Sequence, residues 1–350
     1  SCGDCPGPVL LFKNEGGNFI RVTDNLISQQ EIVGSGIAWG DYDNDSYLDL
    51  FVCGTKNARN KVVHNEGNGN CTLVTNSVFS DELPTYSQAV SWSDYNKDGY
   101  PDIFVSNRFR SNFLYKNNGN GYFTEITNSP LTTSGGESWS GSWGDYDNDG
   151  DLDVFVTNTG NQRNSLFRND GDFNFTKIVN DPLVDEPGYH SVGGWGDYDN
   201  DGDLDVIITN DNSPVRYFRN DAGSFNYLSG GLTTPTATNG ATNGDYDNDG
   251  DLDIIKSYNS ILKTFLNDGN GIFTYHNSSD GAAGDMADID GDGDIDIAYN
   301  GIYSLSSNLN IIIEKNNNGV FSVDTVYNIT PCFSGSVSYT HLTLPTIYSV

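Results

Sequence analysis

The stretch GDYDNDGDLDVFVTN, residues 144–158, places five aspartates within nine positions and then runs straight into β-branched and apolar residues. Carboxylates that close repel one another and resist ordering unless something positive sits among them. Read by position, Asp145, Asp147 and Asp149 stand at 1, 3 and 5, Gly150 at 6 and Asp153 at 9. Carboxylates at alternate positions of a tight loop converge on one point. The glycine allows the sharp turn, the carbonyl of residue 7 can point inward, and the later carboxylate closes the shell.

This is the logic of the first half of an EF-hand loop, with the last ligand at 9 rather than 12 and a strand following in place of a helix. An all-oxygen shell selects a hard cation, and calcium is preferred because it tolerates about six to eight ligands. The same segment occurs six times. The other copies are DYDNDSYLD (Asp41, Asp43, Asp45, Asp49), DYNKDGYPD (Asp94, Asn96, Asp98, Asp102), two further DYDNDGDLD (Asp197, Asp199, Asp201, Asp205 and Asp245, Asp247, Asp249, Asp253) and DIDGDGDID (Asp288, Asp290, Asp292, Asp296). One acidic turn is explicable by Asx-type hydrogen bonds alone. Six with the same 1-3-5-9 pattern of acid or amide point to one bound Ca²⁺ per copy.

The copies differ in expected strength. The second has Asn96 at position 3 and Lys97 at 4, and the first has Ser46 where the others have glycine. A non-glycine residue at φ > 0 costs on the order of 1 kcal/mol. These two sites are therefore expected to bind most weakly.

The loops start 53, 51, 52, 48 and 43 residues apart, and their surroundings repeat as well. Small-residue stretches such as GIAWG, SGSWG and VGGWG precede them, and short apolar runs such as LFV, VFV and VII follow. An Asn/Gly-rich turn between aromatic or aliphatic residues comes next, as in FLYKNNGNGYFTEI (113–126) and SLFRNDGDFNFTKI (165–178). Such turns are hairpin signals. Each repeat thus reads as four antiparallel strands, the size and content of one β-propeller blade. Small residues suit first strands that crowd around a central axis.

An extra hairpin, LLFKNEGGNFIRV (10–22), precedes the first loop, and PCFSGSV (331–337) resembles the start of another small-residue strand. The expectation is an all-β propeller over residues 9–337 with six visible blades. A seventh blade is split between the N-terminal hairpin and a truncated C-terminus. SYTHLTLPTIYSV (338–350) has no repeat features and reads as a non-native tail; residues 1–8 form a short N-terminal segment.

Composition agrees. With 40 Gly, 20 Tyr, 18 Phe and a single Met among 350 residues, the chain favours strands and turns over helices. Its net charge of −31 argues against nucleic acid as a partner. A diffuse solubilising coat is not the explanation, because 27 of the 48 acidic residues lie inside the six loops. No apolar run is long enough to span a membrane. Among five cysteines, Cys53 and Cys71 could face each other across neighbouring strands, Cys2 and Cys5 could form a clip, and Cys332 is left odd.

The D-x-[DN]-x-D-G-x-x-D loop at blade spacing, with small-residue strands before it and LD[VI] after it, resembles the FG-GAP/VCBS repeat family, which includes the integrin α-subunit head. The resemblance covers roughly residues 9–337. It implies a calcium-stabilised seven-bladed propeller at a cell surface or outside the cell, while the family's functions range over adhesion heads, lectins, carbohydrate-active enzymes and modules without a known role. Six near-equivalent loops argue for a structural metal, since catalytic sites keep an open position and a reacting group beside it.

Trp39, Trp92, Trp143 and Trp195 each sit two residues before the first loop aspartate and are expected to pack between blades; Asn243 and Met286 replace them in the last two. Trp139, outside that register, either stacks on a sugar or fills space. The scattered histidines form no triad or zinc motif, though the Tyr–His pair in GYHS (188–191) could serve proton transfer. Basic residues in RNKVV, NRFRSN and NQRNSLFRN offset the acidic loops or sit on the rim.

The leading expectation is an extracellular or cell-surface calcium-loaded propeller, part of a larger surface or secreted protein, that binds a glycan or protein ligand through one face. The alternative is a carbohydrate-active enzyme, such as a polysaccharide lyase, on the same fold. An enzyme should show one asymmetric cluster of Arg, Lys, His and Tyr, and a lectin the same aromatic–polar pocket between several blades. The extracellular setting follows from the metal. Loops of this kind in extracellular modules bind calcium at about 10⁻⁴–10⁻³ M, far above resting cytosolic levels.

Overall fold

The computed structural model describes residues 7–8, 11–15, 18–29, 31–32, 36–54, 58–75, 78–80, 86–171, 173–185, 187–188, 190–210, 214–232, 240–258, 261–302, 309–317 and 320–329. PCFSGSV, the 338–350 tail, and Cys2, Cys5 and Cys332 lie outside the described residues.

Among the described residues, six successive four-strand units follow one another, each in simple antiparallel order. Blade 1 comprises Ile37–Gly40, Asp49–Val52, Lys61–Asn65 and Cys71–Leu73, and blade 2 comprises Ser87–Ser93, Asp102–Arg110, Phe113–Asn117 and Phe123–Glu125. Blade 3 is built from Gly136–Gly144, Asp153–Asn158, Ser165–Asn169 and Phe175–Ile178, and blade 4 from His190–Gly196, Asp205–Asn210, Arg216–Asp221 and Ser224–Leu228. Gly240–Gly244, Asp253–Tyr258, Ile261–Asn267 and Phe273–Asp280 form blade 5. Ala282–Ala287, Asp296–Ile302, Leu309–Lys315 and Ser322–Ile329 form blade 6. Every acidic loop joins the first strand of its blade to the second. No helix among the described residues is long and apolar enough to cross a membrane.

The patterning follows from what covers each strand. Second strands such as Asp153–Asn158 are buried along their whole length, because neighbouring blades cover both faces. First strands of successive blades lie against one another, so small residues are required there. A Cβ on Gly36, for example, would come within 2.6 Å of the Gln88 carbonyl oxygen.

The core is a series of inter-blade layers rather than one centre. Between blades 1 and 2, Phe51 and Val62 meet Ile103, Val105 and Tyr115; between blades 3 and 4, Phe155 and Leu166 meet Val206, Ile208 and Phe218. The second residue of each loop enters these layers. Tyr42, Tyr95, Tyr146 and Tyr198 lie 5.7–5.8 Å from the fourth-strand phenylalanines of the following blade, Phe123, Phe175, Phe225 and Phe273. Tyr246 stacks on Phe321 at 4.3 Å.

The N-terminal hairpin, Leu11–Glu15 paired with Asn18–Val22, takes the third- and fourth-strand place of a seventh blade. Phe19 packs on Ile289, the second residue of the sixth loop, while Leu11 packs against Leu50, Val52 and Val63 of blade 1. Blade 6 is thereby linked to blade 1 through the start of the chain. The expected partner strand at 331–337 lies outside the described residues.

The tryptophan register behaves as packing. The indole N–H groups of Trp92, Trp143 and Trp195 donate to the Ala38 carbonyl, the Ser91 Oγ and the Ser142 carbonyl of the preceding blade, at 3.2, 3.0 and 3.3 Å. Asn243 keeps that bond with its amide, donating to the Trp195 carbonyl at 3.2 Å. The pairing that the sequence left open between Cys53 and Cys71 does not occur: the two form no disulfide. Cys53 follows the second strand of blade 1 and Cys71 opens the fourth, with the third strand between them. Two strand spacings of about 4.8 Å exceed disulfide reach.

Candidate metal centres

All six loops share one hydrogen-bonded frame, and the carboxylates build it. In the third loop, both oxygens of Asp145 accept from the backbone N–H groups of Asp149 and Gly150, at 3.1 and 2.9 Å. The Asp149 carboxylate accepts from the Asp151 N–H at 2.8 Å. Asp153 is fully buried; its Oδ2 accepts from the Tyr146 N–H at 3.0 Å and its Oδ1 from the Asn169 N–H at 2.8 Å. The same bonds recur at Asp41, Asp94, Asp197, Asp245 and Asp288 in position 1, each closing on the N–H groups of positions 5 and 6. Position 9 is fully buried in every loop, at Asp49, Asp102, Asp153, Asp205, Asp253 and Asp296.

The turn needs two left-handed residues. Position 4 has φ between +56° and +61° at Asn44, Lys97, Asn148, Asn200 and Asn248, and position 6 is glycine at φ +88° to +99° in loops 2 to 6. Ser46 holds the corresponding place in loop 1 at φ +73°.

Position 3 differs from the rest of the frame. Asp43, Asp147, Asp199 and Asp290 each have a buried Oδ1 with no hydrogen-bond partner among the described residues. A buried carboxylate oxygen without a partner carries a desolvation cost that a cation would remove. Ligand atoms of Asp145, Asp147 and Asp153 lie within 4.8 Å of one another, as do those of Asp197, Asp199 and Asp205, of Asp245, Asp247 and Asp253, and of Asp41, Asp43 and Asp45. Calcium–oxygen distances of about 2.3–2.6 Å place opposed ligands at about that separation. The donor set therefore fits a hard divalent cation, which positions 1, 3 and 9 would hold, joined in loop 1 by position 5, Asp45; the other position-5 residues are Asp98, Asp149, Asp201, Asp249 and Asp292.

Burial dominates the electrostatics. It pushes the carboxyl of Asp49 up to about 6, those of Asp153, Asp205 and Asp253 to about 7, and that of Asp102 to about 8, against the pull of the backbone donors. Burial and the neighbouring carboxylates likewise raise Asp43, Asp147, Asp199 and Asp247. A cation bound at these sites would favour the ionised form and displace protons.

Loop 2 is built differently. Asn96 donates its amide to the Asp102 Oδ2 at 2.9 Å, so position 3 hydrogen-bonds position 9 rather than adding charge. Lys97, read from the sequence as a weakening of its own loop, instead reaches the next one, 2.6 Å from Asp151. The asparagines at position 4 do likewise: Asn148, Asn200 and Asn248 donate to the position-7 aspartates Asp203, Asp251 and Asp294 at 2.7 Å. The loops thus form a hydrogen-bonded belt.

Two further contributors stand on the third strands: basic residues, expected from the sequence to offset the acidic loops or sit on the rim, and asparagines, which the sequence did not single out. The third strands end in a basic residue followed by asparagine in five of six blades: His64–Asn65, Lys116–Asn117, Arg168–Asn169, Arg219–Asn220 and Lys315–Asn316, with Leu266–Asn267 the exception. Lys116 stands 3.1 Å from Asp98, Lys315 3.4 Å from Asp290 and Arg219 3.8 Å from Asp199; the His64 Nδ1 lies 3.0 Å from Asp49 and 3.4 Å from Asp43. The asparagine amides cross between blades. Asn117, Asn169, Asn220, Asn267 and Asn316 donate to the position-2 carbonyls of Tyr42, Tyr95, Tyr146, Tyr198 and Tyr246 at 2.7–3.2 Å. Asn14 of the N-terminal hairpin completes the series with the Ile289 carbonyl at 2.7 Å. The recurring basic-Asn dipeptide was the available signal. Of GYHS (188–191), Tyr189 and the His190 side chain lie outside what the structure describes.

Four overlapping stretches, residues 47–105, 94–156, 145–208 and 197–256, match the family described as FG-GAP-like repeat. Cartilage acidic protein 1 of Mus musculus is 30% identical over 211 residues, 55% of this chain and 32% of that protein; its Homo sapiens counterpart is 29% identical over 208 residues, 54% and 30%. The matched region thus spans about a third of these relatives. Among solved structures, a lectin from Agrocybe aegerita described as recognising non-reducing terminal N-acetylglucosamine superposes with a TM-score of 0.63 at 17% identity, over 89% of this chain and 85% of that one. The BP39L lectin from Burkholderia pseudomallei gives 0.61 at 11% identity, over 91% and 94%. These two likenesses establish the fold.

Proposed function

The chain belongs to the FG-GAP-like repeat family, and from that premise we propose that it is an extracellular, calcium-loaded β-propeller that acts as a glycan-binding module. The calcium is structural: it ties the first and second strands of each blade together and adds its binding energy to folding. The observation that carries this is the buried, unpartnered position-3 oxygen repeated at Asp43, Asp147, Asp199 and Asp290. The frame satisfies positions 1 and 9 with backbone donors and leaves these atoms bare, a deficit that a cation would remove. The glycan reading draws support from the two lectins that share the fold. A propeller also presents the turns of many blades on one face, where a saccharide chain can be held.

The test is a thermal melt in millimolar calcium and again in chelator, with bound metal counted by elemental analysis. The reading expects several equivalents of calcium per chain, a large calcium-dependent rise in Tm, and dissociation constants near 10⁻⁴–10⁻³ M as in extracellular modules. A melt indifferent to calcium, with no bound metal, overturns the structural-metal part. An array of neutral and acidic glycans probed with the calcium-loaded chain tests the rest, and an array without binding removes the glycan reading.

A further inference from the structure

Resting on that glycan-binding reading, we propose that the junction of blades 2 and 3 carries a saccharide subsite for a neutral sugar ring, with Phe109 as its stacking platform and Arg110 as its principal hydrogen-bond donor.

The repeat breaks at this junction. The second strand of blade 2, Asp102–Arg110, runs nine residues, whereas its counterparts run from four (Asp49–Val52) to seven (Asp296–Ile302). Its extension leaves its own sheet and pairs with the first strand of blade 3, Arg108 opposite Glu137 and Arg110 opposite Gly136. Phe109 sits in the bulge between those pairs, at φ +66° and 62% exposed. A bulge re-aims a side chain, and glycine would adopt this φ without penalty. An aromatic residue held there and turned to solvent is a strained position, and strain of this kind clusters at ligand sites.

One face of the ring carries a guanidinium, while the residue as a whole stays exposed. Tyr86, itself exposed, meets it edge-on at 5.8 Å, and the Arg108 guanidinium lies 4.7 Å from its centroid. The next residue, Arg110, lines an open cleft of about 320 Å³ with Asn112, Phe113, Glu125, Thr127 and Thr132, and its guanidinium lies 5.4 Å from the Phe113 ring. That volume is at the lower end of small-ligand sites, the size of one sugar residue rather than a large cofactor. Planar guanidinium, amide and carboxylate groups beside an aromatic ring suit a pyranose, whose C–H face stacks and whose neighbouring hydroxyls both donate and accept.

Charge selects the class of sugar. Two arginines and two glutamates balance locally, with Arg108 already 3.4 Å from Glu137. The chain carries −31 before any cation binds, and six calcium ions would leave about −19, a field that still repels a uronate or sulfated saccharide at long range. A neutral ring meets no such penalty.

The experiment is titration calorimetry of the calcium-loaded full chain against neutral oligosaccharides and against uronate-containing and sulfated ones. It uses wild type, Phe109→Gly, Arg110→Gln and, as a control on another blade, Tyr227→Ala. The proposal expects neutral-sugar affinity to fall about tenfold or more in F109G and R110Q and to stay unchanged in Y227A. It also expects the Tm of F109G to equal or exceed that of wild type, which separates lost binding from lost folding. Wild-type binding that survives both substitutions overturns the subsite and leaves the glycan reading intact. Preference for acidic saccharides overturns the neutral class. Cleavage of the bound oligosaccharide by wild type replaces the binding module with an enzyme. Absence of any saccharide binding by wild type overturns the glycan reading itself, and the subsite with it.

Discussion

Ser46 occupies a left-handed position, φ +73°, that five other loops give to glycine. Replacing it with glycine is expected to stabilise the chain by about 1 kcal/mol and to tighten the first calcium site. Urea unfolding and calcium titration would show this, and unchanged stability would mean the loop already relaxes around serine. Asp147→Asn removes charge from an otherwise unpartnered buried oxygen while nearly keeping its shape. Calorimetric titration should then find about one tight equivalent fewer, and an unchanged stoichiometry would take position 3 out of the ligand set. The sequence makes positions 1, 3, 5 and 9 legible because they lie within one loop, where spacing alone dictates convergence. Asn169 was not legible in the same way, since its amide bonds Tyr95, 74 residues away.

At the scale of the element, the third-strand asparagines tie each blade to the one before. The Asn169 amide donates to the Tyr95 carbonyl at 2.9 Å and to the Leu152 carbonyl at 3.2 Å. Asn169→Ala would leave buried carbonyls unpaired, and the expected loss is about 1–3 kcal/mol by urea unfolding in saturating calcium. A loss well below that would mean water replaces the amide. Lys97 teaches the complementary lesson. Its sign of charge was read correctly as opposing the acidic loops, yet its partner is Asp151 in the neighbouring loop, because position 4 projects from a left-handed turn toward the next blade. The one-turn helices Pro130–Thr133 and Pro182–Asp185, which bury Leu131 and Leu183 between blades, gave no pattern in the sequence, being too short for a helical period to show.

For the whole molecule, six buried carboxylates set the pH response. Their folded-state values are raised, so the metal-free folded chain binds more protons than the unfolded chain, whose aspartates titrate near about 3.9. Stability in chelator should therefore fall as pH rises from about 4 through the values of about 6 to 8 at Asp49, Asp153, Asp205, Asp253 and Asp102. With saturating calcium the slope should flatten or reverse, because the cation takes the ionised form. Melting curves at about pH 5 and pH 8, with and without calcium, check this; parallel behaviour in both conditions would separate the buried carboxylates from the metal.

The sequence by itself determined the repeat, the four-stranded blade and the positions of the loop carboxylates. Each of these is a local pattern: alternation along a strand, a turn composition, or ligand spacing within nine residues. The tertiary structure alone decided how the units join. The inter-blade asparagine bonds and the belt from position 4 to position 7 depend on which surfaces meet across about fifty to three hundred residues of chain. Phe109 belongs to the same class. In sequence it is one aromatic among many, and only the bulge that couples blades 2 and 3 turns it outward.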